Sequence, residues 1–349
     1  MPIELKIDDV VFGGSGIARL QGKAVFVPFT IDGERVMARI VHEKKQFAEA
    51  ELLDPVESSP HRVQPRCPYF GRCGGCAYQH IDYAHQLEIK TGQVEQTLRR
   101  IGRFRNIPIR PIIASPAEYE YRNRVTVHAE NGLVGFFQRD SHRLIDITHC
   151  PISRPEVNDA LATLRARRVR YGHYTLRASD AARVFEQTND FVALKLRELV
   201  ATFFPERGEL LIDAFCGSGA FAKPLVDKFD HVLGIEWDRF AVEIARANAR
   251  PNESYITADV EIELPAALQN APNDTALIVD PPATGLGAST RAALQSMPPK
   301  TFVYVSCNPS TLARDLAQMR AQFRIISVTP LDMFPQTAEI EVAVHLQRV

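Results

Sequence analysis

The feature that most constrains the fold is a series of short apolar strands in the second half of the chain, each ending at a polar residue. Beyond about Ala181, strand patterns alternate with helical patterns; one strand, Leu210 to Ile212, runs into Asp213 and a Gly217-Ser218-Gly219 turn, after which a helix is expected. This alternation is typical of a doubly wound parallel sheet. We therefore expect an α/β fold with a Rossmann-like sheet.

A second strand, "HVLGIE", adds a cofactor signal. It ends at Glu236, seventeen residues after Gly219. The glycines allow a tight turn and close approach of a ligand, and an acidic residue at this strand end can accept hydrogen bonds from ribose hydroxyls. These signals fit S-adenosylmethionine and a nicotinamide dinucleotide alike.

Two later strands end at residues that could take part in ligand binding or catalysis. "TALIVDPP" ends at Asp280 and "TFVYVSCNPS" at Cys307. Ligands bind beyond the carboxyl ends of such strands, so both side chains are expected to face the cofactor cleft. A lone cysteine is usually a small buried apolar side chain. Here, however, a helix expected to start near Thr311 leaves the thiol close to a helix N-terminus, where the thiolate is favoured.

The first half of the chain has a different pattern. Residues 1–57 contain short alternating runs broken by Gly or Asp, which predict the strands of a small barrel. A proline-rich joint and a cysteine cluster follow, then a long amphipathic helix from about Tyr83 to Ile101 and further strands. We predict three domains: a barrel over 1–57, a central region over 58–180 and the α/β domain over 181–349.

The cysteine cluster predicts a metal site. Cys67, Cys73 and Cys76 are closely spaced, with two glycines between the last two, and Cys150 precedes a proline farther along. The glycines let the backbone fold tightly enough for two thiolates to face one metal centre. Four thiolates suit tetrahedral zinc or an iron–sulfur cluster, and their spacing does not separate the two; unliganded core cysteines are the third reading.

Charge is unevenly distributed. Residues 96–183 contain sixteen Arg and no Lys against eight Asp or Glu, although the whole chain has a net charge of −1. Arginine without lysine favours bidentate and stacking contacts of the kind that phosphates and bases offer, and prominent examples are Arg99, Arg100, Arg103, Arg105, Arg122 and Arg124. A solvated charged face is the alternative.

Composition bounds the class of protein. With 45% apolar and 24% charged residues, the chain has the make-up of a globular protein. It lacks the roughly 18 consecutive apolar residues of a membrane span, and its first residues do not form a signal-peptide pattern. We expect a cytoplasmic monomer. In a reducing compartment, six cysteines are better explained by metal binding and catalysis than by disulfides.

Seven motifs together resemble the RNA uracil-C5 methyltransferases, which make 5-methyluridine in ribosomal or transfer RNA. They are "CPYFGRCGGCAYQH", "YRNR", "FEQTN", "DAFCGSGAF", "VDPP", "YVSCNPSTLARDL" and "DMFPQTAEIE". Residues 1–57 likewise resemble a TRAM domain, an RNA-binding barrel. The resemblance implies S-adenosylmethionine as methyl donor and a [4Fe–4S] cluster held by the four cysteines.

The resemblance also implies the site residues. Cys307 matches the family nucleophile, which adds to C6 of uracil, and Glu341 in "FPQTAEIE" matches the base that removes the C5 proton. The expected lining of the S-adenosylmethionine pocket is Gln187, Phe215, Glu236, Asp259 and Asp280. The stretch from Glu236 to Asp259 is shorter than is usual in the family.

Two positions depart from the family pattern. Ala283 stands where members usually have Arg, and Glu339 where they usually have His, which makes Glu339 a second candidate base. The target base must be extruded to reach a thiol in a cleft, and single-stranded loops are the natural substrates. The domain set favours ribosomal RNA, with transfer RNA as the alternative. The rival classes are a non-catalytic iron–sulfur RNA-binding protein and a nicotinamide oxidoreductase.

Overall fold

The computed structural model of the protein describes residues 1–178 and 187–349. Within these ranges, every helix is too short or too polar to cross a membrane. The described residues divide into two compact units. The first contains Met1–Gln93, Ser115–Ala181 and Phe334–Glu339, and the second contains Val94–Ala114, Ala182–Met333 and Ile340–Val349.

The chain begins with a closed five-stranded barrel. Its strands are β1 (Ile3–Val10), β2 (Ser15–Leu20), β3 (Lys23–Pro28), β4 (Arg35–Glu43) and β5 (Phe47–Glu57), in the order β1-β2-β3-β5-β4. Alternate apolar side chains, such as Leu5, Ile7, Val25 and Val27, fill its core. The alternation in the sequence therefore reflects one face of each strand turned inward.

The rest of the first unit contains a four-stranded antiparallel sheet in the order β8-β7-β6-β9. Its elements are β6 (Arg124–Glu130), β7 (Leu133–Phe137), β8 (Leu144–Asp146), α2 (Pro155–Arg165) and β9 (Gly172–Arg177). A long helix, α1 (Tyr83–Arg100), precedes this sheet in sequence. Val157 and Leu161 of α2 pack with Val127 and Val134 of the sheet to form a separate apolar core.

The second unit is built on a seven-stranded sheet in the order β12-β11-β10-β13-β14-β16-β15. Its strands are β10 (Gly208–Ala214), β11 (Phe229–Glu236), β12 (Glu253–Thr257), β13 (Ala276–Val279), β14 (Thr301–Ser306), β15 (Phe323–Leu331) and β16 (Glu341–Arg348). Its helices are α3 (Asp190–Thr202), α4 (Arg239–Ala247), α5 (Val260–Gln269), α6 (Ala288–Ser296) and α7 (Pro309–Gln318). Strands β10 to β14 pair in parallel, and β16 runs antiparallel between β14 and β15. The predicted α/β fold with an amino-terminal barrel is confirmed.

Two helices expected from the sequence are present. The helix after the glycine turn is a 3-10 helix over Lys223–Lys228, and β11 starts immediately after it at Phe229. The helix expected to start near Thr311 is α7, which starts at Pro309. Proline fits the first turn of a helix because its missing N–H is not needed there, and Asn308 caps the helix by accepting from the backbone N–H groups of Ser310 and Thr311.

Two glycine substitutions test the packing of strand β7 and of helix α1. A Cβ on Gly135 in β7 would lie 2.0 Å from the carbonyl oxygen of Ile145, whereas one on Gly92 in α1 meets nothing within 4 Å. We expect Gly135→Ala to lower the free energy of unfolding by about 1–3 kcal/mol through overpacking. Gly92→Ala is expected to raise it by about 0.5–1 kcal/mol, because alanine loses less backbone entropy in a helix. Unfolding followed by circular dichroism measures both, and equal stabilities would contradict the β7–β8 pairing.

Candidate functional site

A cleft of 250 Å³ lies at the carboxyl edge of the parallel sheet, beside the loop that follows β10. Phe215, Gly217 and Gly219 in this loop have positive φ angles of 65°, 53° and 85°. The buried side chain of Asp213 at the end of β10 stabilises this loop, because it accepts a hydrogen bond from the backbone N–H of Ala222 at 3.1 Å. The turn therefore presents backbone to the cleft, as a nucleotide-type ligand requires.

The predicted cofactor residues lie at this edge in different roles. Gln187, Phe215 and Asp280 line the cleft. Glu236 is 8% exposed, and its carboxylate accepts from the N–H groups of Gly217 at 3.0 Å and Asp238 at 2.9 Å. Asp259 is not among the lining residues; it caps α5 by accepting from Glu261 N–H at 2.9 Å.

Helix α3 contributes cleft residues that sequence reasoning missed. Asp190, Ala193 and Arg197 line the cleft from successive turns of this helix. Their spacing of three and four residues was the available signal, because it places all of them on one helix face. Nothing in their residue types alone pointed to a cofactor.

Two carboxyl groups interact at the cleft: that of Asp280, which lines it, and that of the buried Asp213. Burial raises the pKa of Asp280 well above the usual aspartate range. Burial also raises the pKa of Asp213, and the negative charges of Asp280 and Glu236 raise it further. A positively charged ligand in the cleft would favour the ionised forms, so this end of the sheet suits a cation.

Cys307 follows the last residue of β14 and is half-buried. The helix α7 starts two residues later, so the thiol lies beside the positive end of a helix. The turn is fixed locally, because the N–H of Asn308 donates to Ser306 Oγ at 3.1 Å and its side chain caps α7. The expected position of this thiol at a helix N-terminus matches the structure.

Glu341 is the first residue of β16 and is only 2% exposed. Ser306 at the end of β14 pairs with Val342, so the next residues on the two strands at this edge are Cys307 and Glu341. On the other side, Glu341 pairs with Leu331 of β15. The predicted nucleophile and base thus belong to neighbouring strands and share one sheet edge.

Ala283, one of the departures from the family pattern, has a structural role through its backbone. Its carbonyl oxygen accepts from Asn308 Nδ2 at 3.1 Å and from Thr311 Oγ1 at 3.0 Å. Its side chain is exposed. The loop after β13 is therefore tied to the turn that carries Cys307 without any contribution from the side chain at position 283.

The segment Phe334–Glu339, which precedes β16 in sequence, belongs to the first unit. Buried side chains of that unit hold it: Lys90 Nζ donates to the carbonyl of Phe334, and Tyr121 Oη donates to that of Pro335. Gln86 forms hydrogen bonds with both the side chain and the backbone N–H of Gln336.

A second cavity, of 580 Å³, lies in the first unit. Its wall includes Cys76, Arg122, Phe136 and Glu339, together with part of the loop after β7. It therefore combines an aromatic side chain, a guanidinium and a carboxylate. Glu339 is exposed there, whereas Glu341 is buried in the other unit.

The four cysteines of the predicted metal site come together. In each of the six pairs among Cys67, Cys73, Cys76 and Cys150, the two thiols are close enough to interact electrostatically. Burial raises the pKa of Cys67, Cys73 and Cys76, and the neighbouring cysteines contribute in the same direction. Together these effects raise the pKa of Cys76 to about 12. The backbone of Cys150 is fixed by the amide of Asn158, which accepts from its N–H and donates to its carbonyl.

Four thiols are a donor set that suits a tetrahedral zinc ion or an iron–sulfur cluster. Among the described residues, 1–178 and 187–349, no three Cys, His, Asp or Glu side chains converge tightly enough to hold one metal ion. Gln79, 1% exposed, accepts from the N–H of Cys67 at 3.0 Å. Its Nε2 has no nitrogen or oxygen acceptor and instead donates to the sulfur of Cys76, which lowers the pKa of that thiol. The Gln79 amide therefore orders two of the four cysteines.

Comparison with known proteins agrees with this geometry. The family model for tRNA (Uracil-5-)-methyltransferase matches residues 266–349, and the TRAM domain model matches residues 3–53. An uncharacterized RNA methyltransferase of Bdellovibrio bacteriovorus is 32% identical over 382 residues, covering 99% of this chain and 95% of the relative. One of Protochlamydia amoebophila is 30% identical over 425 residues, covering 99% and 98%.

The chain belongs to a family of RNA methyltransferases. Its barrel is a TRAM domain. The solved structure of Pyrococcus abyssi tRNA (uracil-54, C5)-methyltransferase, in complex with S-adenosyl-L-homocysteine, has the same fold: the TM-score is 0.72 at 23% identity, with 99% of this chain and 100% of that chain covered. The protein is thus an RNA methyltransferase with the class I fold of enzymes that use S-adenosylmethionine, and the cleft beside β10 is the candidate cofactor site.

Glu236 provides a test of that cofactor site. We expect Glu236→Gln to weaken S-adenosylmethionine binding by roughly 1–3 kcal/mol, the usual scale for hydrogen bonds of a charged group, while RNA binding is retained. Glu243→Gln on the exposed face of α4 is the matched control. Titration calorimetry measures both, and an unchanged affinity of the Glu236 variant would show that the ribose acceptor has been misplaced.

Proposed function

We propose that this enzyme transfers a methyl group from S-adenosylmethionine to C5 of a uridine in RNA, with ribosomal RNA as the substrate. The observation that carries the proposal is the pairing of β14 with β16, which brings a half-buried thiol and a buried carboxyl group to the ends of adjacent strands. Uracil C5 methylation needs a nucleophile and a base of these types.

Cys307 is the proposed nucleophile. Uracil C5 is a poor nucleophile because its electron density is held in a conjugated ring. When the thiolate adds to C6, the electrons of the C5–C6 double bond move to give an enolate, and C5 can then take the methyl group. The N-terminus of α7 favours the thiolate that this addition requires.

Glu341 is the proposed base. After methyl transfer, the C5 proton must leave so that the C5–C6 double bond re-forms and the Cys307 thiolate is expelled. The Glu341 carboxylate is buried at a strand end, so water weakens its electrostatic attraction for the C5 proton less than it would at the surface. Glu339 is the less favoured candidate, because its side chain is exposed to water whereas that of Glu341 is buried.

S-adenosylmethionine supplies the methyl group as a sulfonium. Gln187, Phe215 and Asp280 line the cleft that would hold it. Glu236 orders the glycine loop and is proposed to accept from the ribose. Asp259 is proposed to reach the adenosine from the next strand end, since Ala258 N–H donates to the carbonyl of Glu236. Asp280 is also proposed to face the extruded base.

We propose further that Cys67, Cys73, Cys76 and Cys150 hold a [4Fe–4S] cluster. A bound cluster would cross-link the loop after the barrel to the segment before α2. Support comes from the electrostatic proximity of the thiols and from the buried amide of Gln79, which forms hydrogen bonds with the backbone of Cys67 and the thiol of Cys76. The protein positions two of the ligands in advance, because the backbone N–H of Cys67 donates to Gln79 and that of Cys150 donates to Asn158.

The choice of ribosomal RNA rests on the combination of TRAM domain, cluster cysteines and catalytic domain. Transfer RNA is the alternative, favoured by the substrate of the Pyrococcus abyssi structure. We also retain as proposals the three domains at 1–57, 58–180 and 181–349, a monomeric state and a cytoplasmic location. The TRAM barrel and the arginine-rich middle of the chain are proposed to hold the RNA.

The cluster proposal predicts a coloured protein. Anaerobically purified enzyme is expected to be brown, with broad absorption at about 400 nm from thiolate-ligated iron. Cys150→Ser should lose both colour and iron, whereas Cys216→Ser, at a buried cysteine outside the cluster, should keep them. Stoichiometric zinc without iron in the wild-type protein would reject the proposal.

The mechanism predicts different products from two variants. Cys307→Ala is expected to abolish methylation and any covalent protein–RNA species, because no enolate can form. Glu341→Gln leaves addition and methyl transfer intact but slows removal of the C5 proton, so the methylated adduct should accumulate. Labelled S-adenosylmethionine and substrate RNA, followed by denaturing electrophoresis, detect the adduct.

The same assay contains its controls. Glu339→Gln should still turn over, because Glu339 is not the proposed base. Parallel reactions with ribosomal and transfer RNA transcripts decide the substrate, and label in transfer RNA alone would replace our choice by the alternative. A Cys307→Ala enzyme that still methylates uracil would overturn the mechanism.

A further inference from the structure

An arginine-rich surface lies where α1 ends. Residues 99–114 contain five arginines and no acidic residue. Arg99 pairs with Glu95, but across the described parts of the chain Arg100, Arg103 and Arg105 form no ion pair. Their positive charge is therefore not neutralised by the fold.

These side chains surround an open groove of 450 Å³, lined by Arg99, Arg103, Phe104 and Arg105. A fourth guanidinium adjoins it, because that of Arg320 lies 5.3 Å from the centre of the Phe104 ring. Arg320 also donates to the carbonyl of Gly102 at 2.6 Å. All of these residues belong to the second unit.

The turn that presents them is closely packed. Gly102 is buried, and a Cβ there would lie 2.6 Å from the carbonyl oxygen of Leu98. Arg103 has a φ of 56°, in the left-handed region that favours glycine after a helix. Helix capping alone would therefore be better served by glycine at position 103. The basic residues Arg99 and Arg100 in the last turn suit the helix dipole, but Arg103 and Arg105 lie beyond it.

The groove lies at the far end of α7 from Cys307. Helix α7 has ten residues and is therefore about 15 Å long. Cys307 precedes its start, and Arg320 follows its end by two residues. At about 3.4 Å per nucleotide, the rise of a stacked strand, this length corresponds to about five nucleotides of RNA, and to fewer when the strand is extended.

We propose that this arginine surface binds the phosphate backbone of the RNA substrate outside the loop that contains the target uridine. The inference rests on the proposed function for the identity of that RNA. Unpaired guanidinium groups suit phosphates, which they bind in bidentate fashion, and the half-buried Phe104 ring in the groove suits a base or ribose. An acidic protein partner is the competing occupant.

The test uses the full-length protein. Arg103→Gly/Arg105→Gln removes two charges and relieves the left-handed strain, so the variant is expected to fold. The matched control, Arg250→Gln/Lys300→Gln, removes two charges that are paired with Asp227 and Asp274. A third variant, Arg103→Lys/Arg105→Lys, retains the charge. Fluorescence anisotropy with labelled oligouridylates of increasing length, over a salt series, gives the dissociation constants.

For oligouridylates long enough to span both sites, we expect the glycine/glutamine variant to bind about tenfold more weakly or worse. The slope of log affinity against log salt should fall by about 2, one for each phosphate contact. The lysine variant should keep the slope, and the charge control should match the wild type. Equal binding by wild type and glycine/glutamine variant, or an equal loss on the shortest oligonucleotides, overturns the proposal.

Methyl transfer separates this inference from the proposed function. With a complete RNA transcript, the glycine/glutamine variant should show a raised KM and an unchanged kcat, and with the isolated target stem–loop it should match the wild type. A wild-type protein that methylates neither RNA sinks the proposed function, while the binding data still decide the arginine surface. If the glycine/glutamine variant binds RNA as the wild type does and methylation is normal, only the proposal about the arginine surface is rejected.

Discussion

The architecture of the candidate active site depends on one strand, β16, which lies antiparallel between β14 and β15. Its ladder with β14 runs from Thr301 opposite Gln347 to Ser306 opposite Val342. Because the side chains of a strand alternate in direction, a slip of one residue would turn Glu341 to the opposite face. Val342, Ala343 and Val344, which directly follow Glu341, are buried apolar residues, so the packing of the sheet and the position of the proposed base are set by the same contacts.

The approach to that strand is controlled by a buried polar network. The chain leaves β15 at Leu331 and enters β16 at Glu341, and the intervening Phe334–Glu339 segment is held by the first unit. Lys90 is fully buried there and donates to a backbone carbonyl. A buried charge is costly unless its hydrogen bonds are made, so this lysine specifies one conformation of the loop.

Much of this was accessible from the sequence. Polar residues at strand ends predicted the sheet edge where Asp280 and Cys307 are found, because the carboxyl ends of parallel strands meet at one edge. Side-chain hydrogen bonds were not accessible. Glu236 could be read as a ribose acceptor, but its bonds to the N–H groups of Gly217 and Asp238 depend on a loop conformation that no spacing encodes. The burial of Lys90 and the cleft-facing residues of α3 likewise arise from tertiary packing.

Cys307 and Glu341, at the paired ends of β14 and β16, are proposed to act together in methylating uridine at C5. The decisive measurement is to map 5-methyluridine, by mass spectrometry of ribosomal and transfer RNA, in cells that carry the wild-type gene and in cells that carry only the Cys307→Ala form. We expect a uridine in ribosomal RNA that is fully methylated in the first cells and unmodified in the second. An identical set of 5-methyluridines in both cells would show that Cys307 is not the nucleophile.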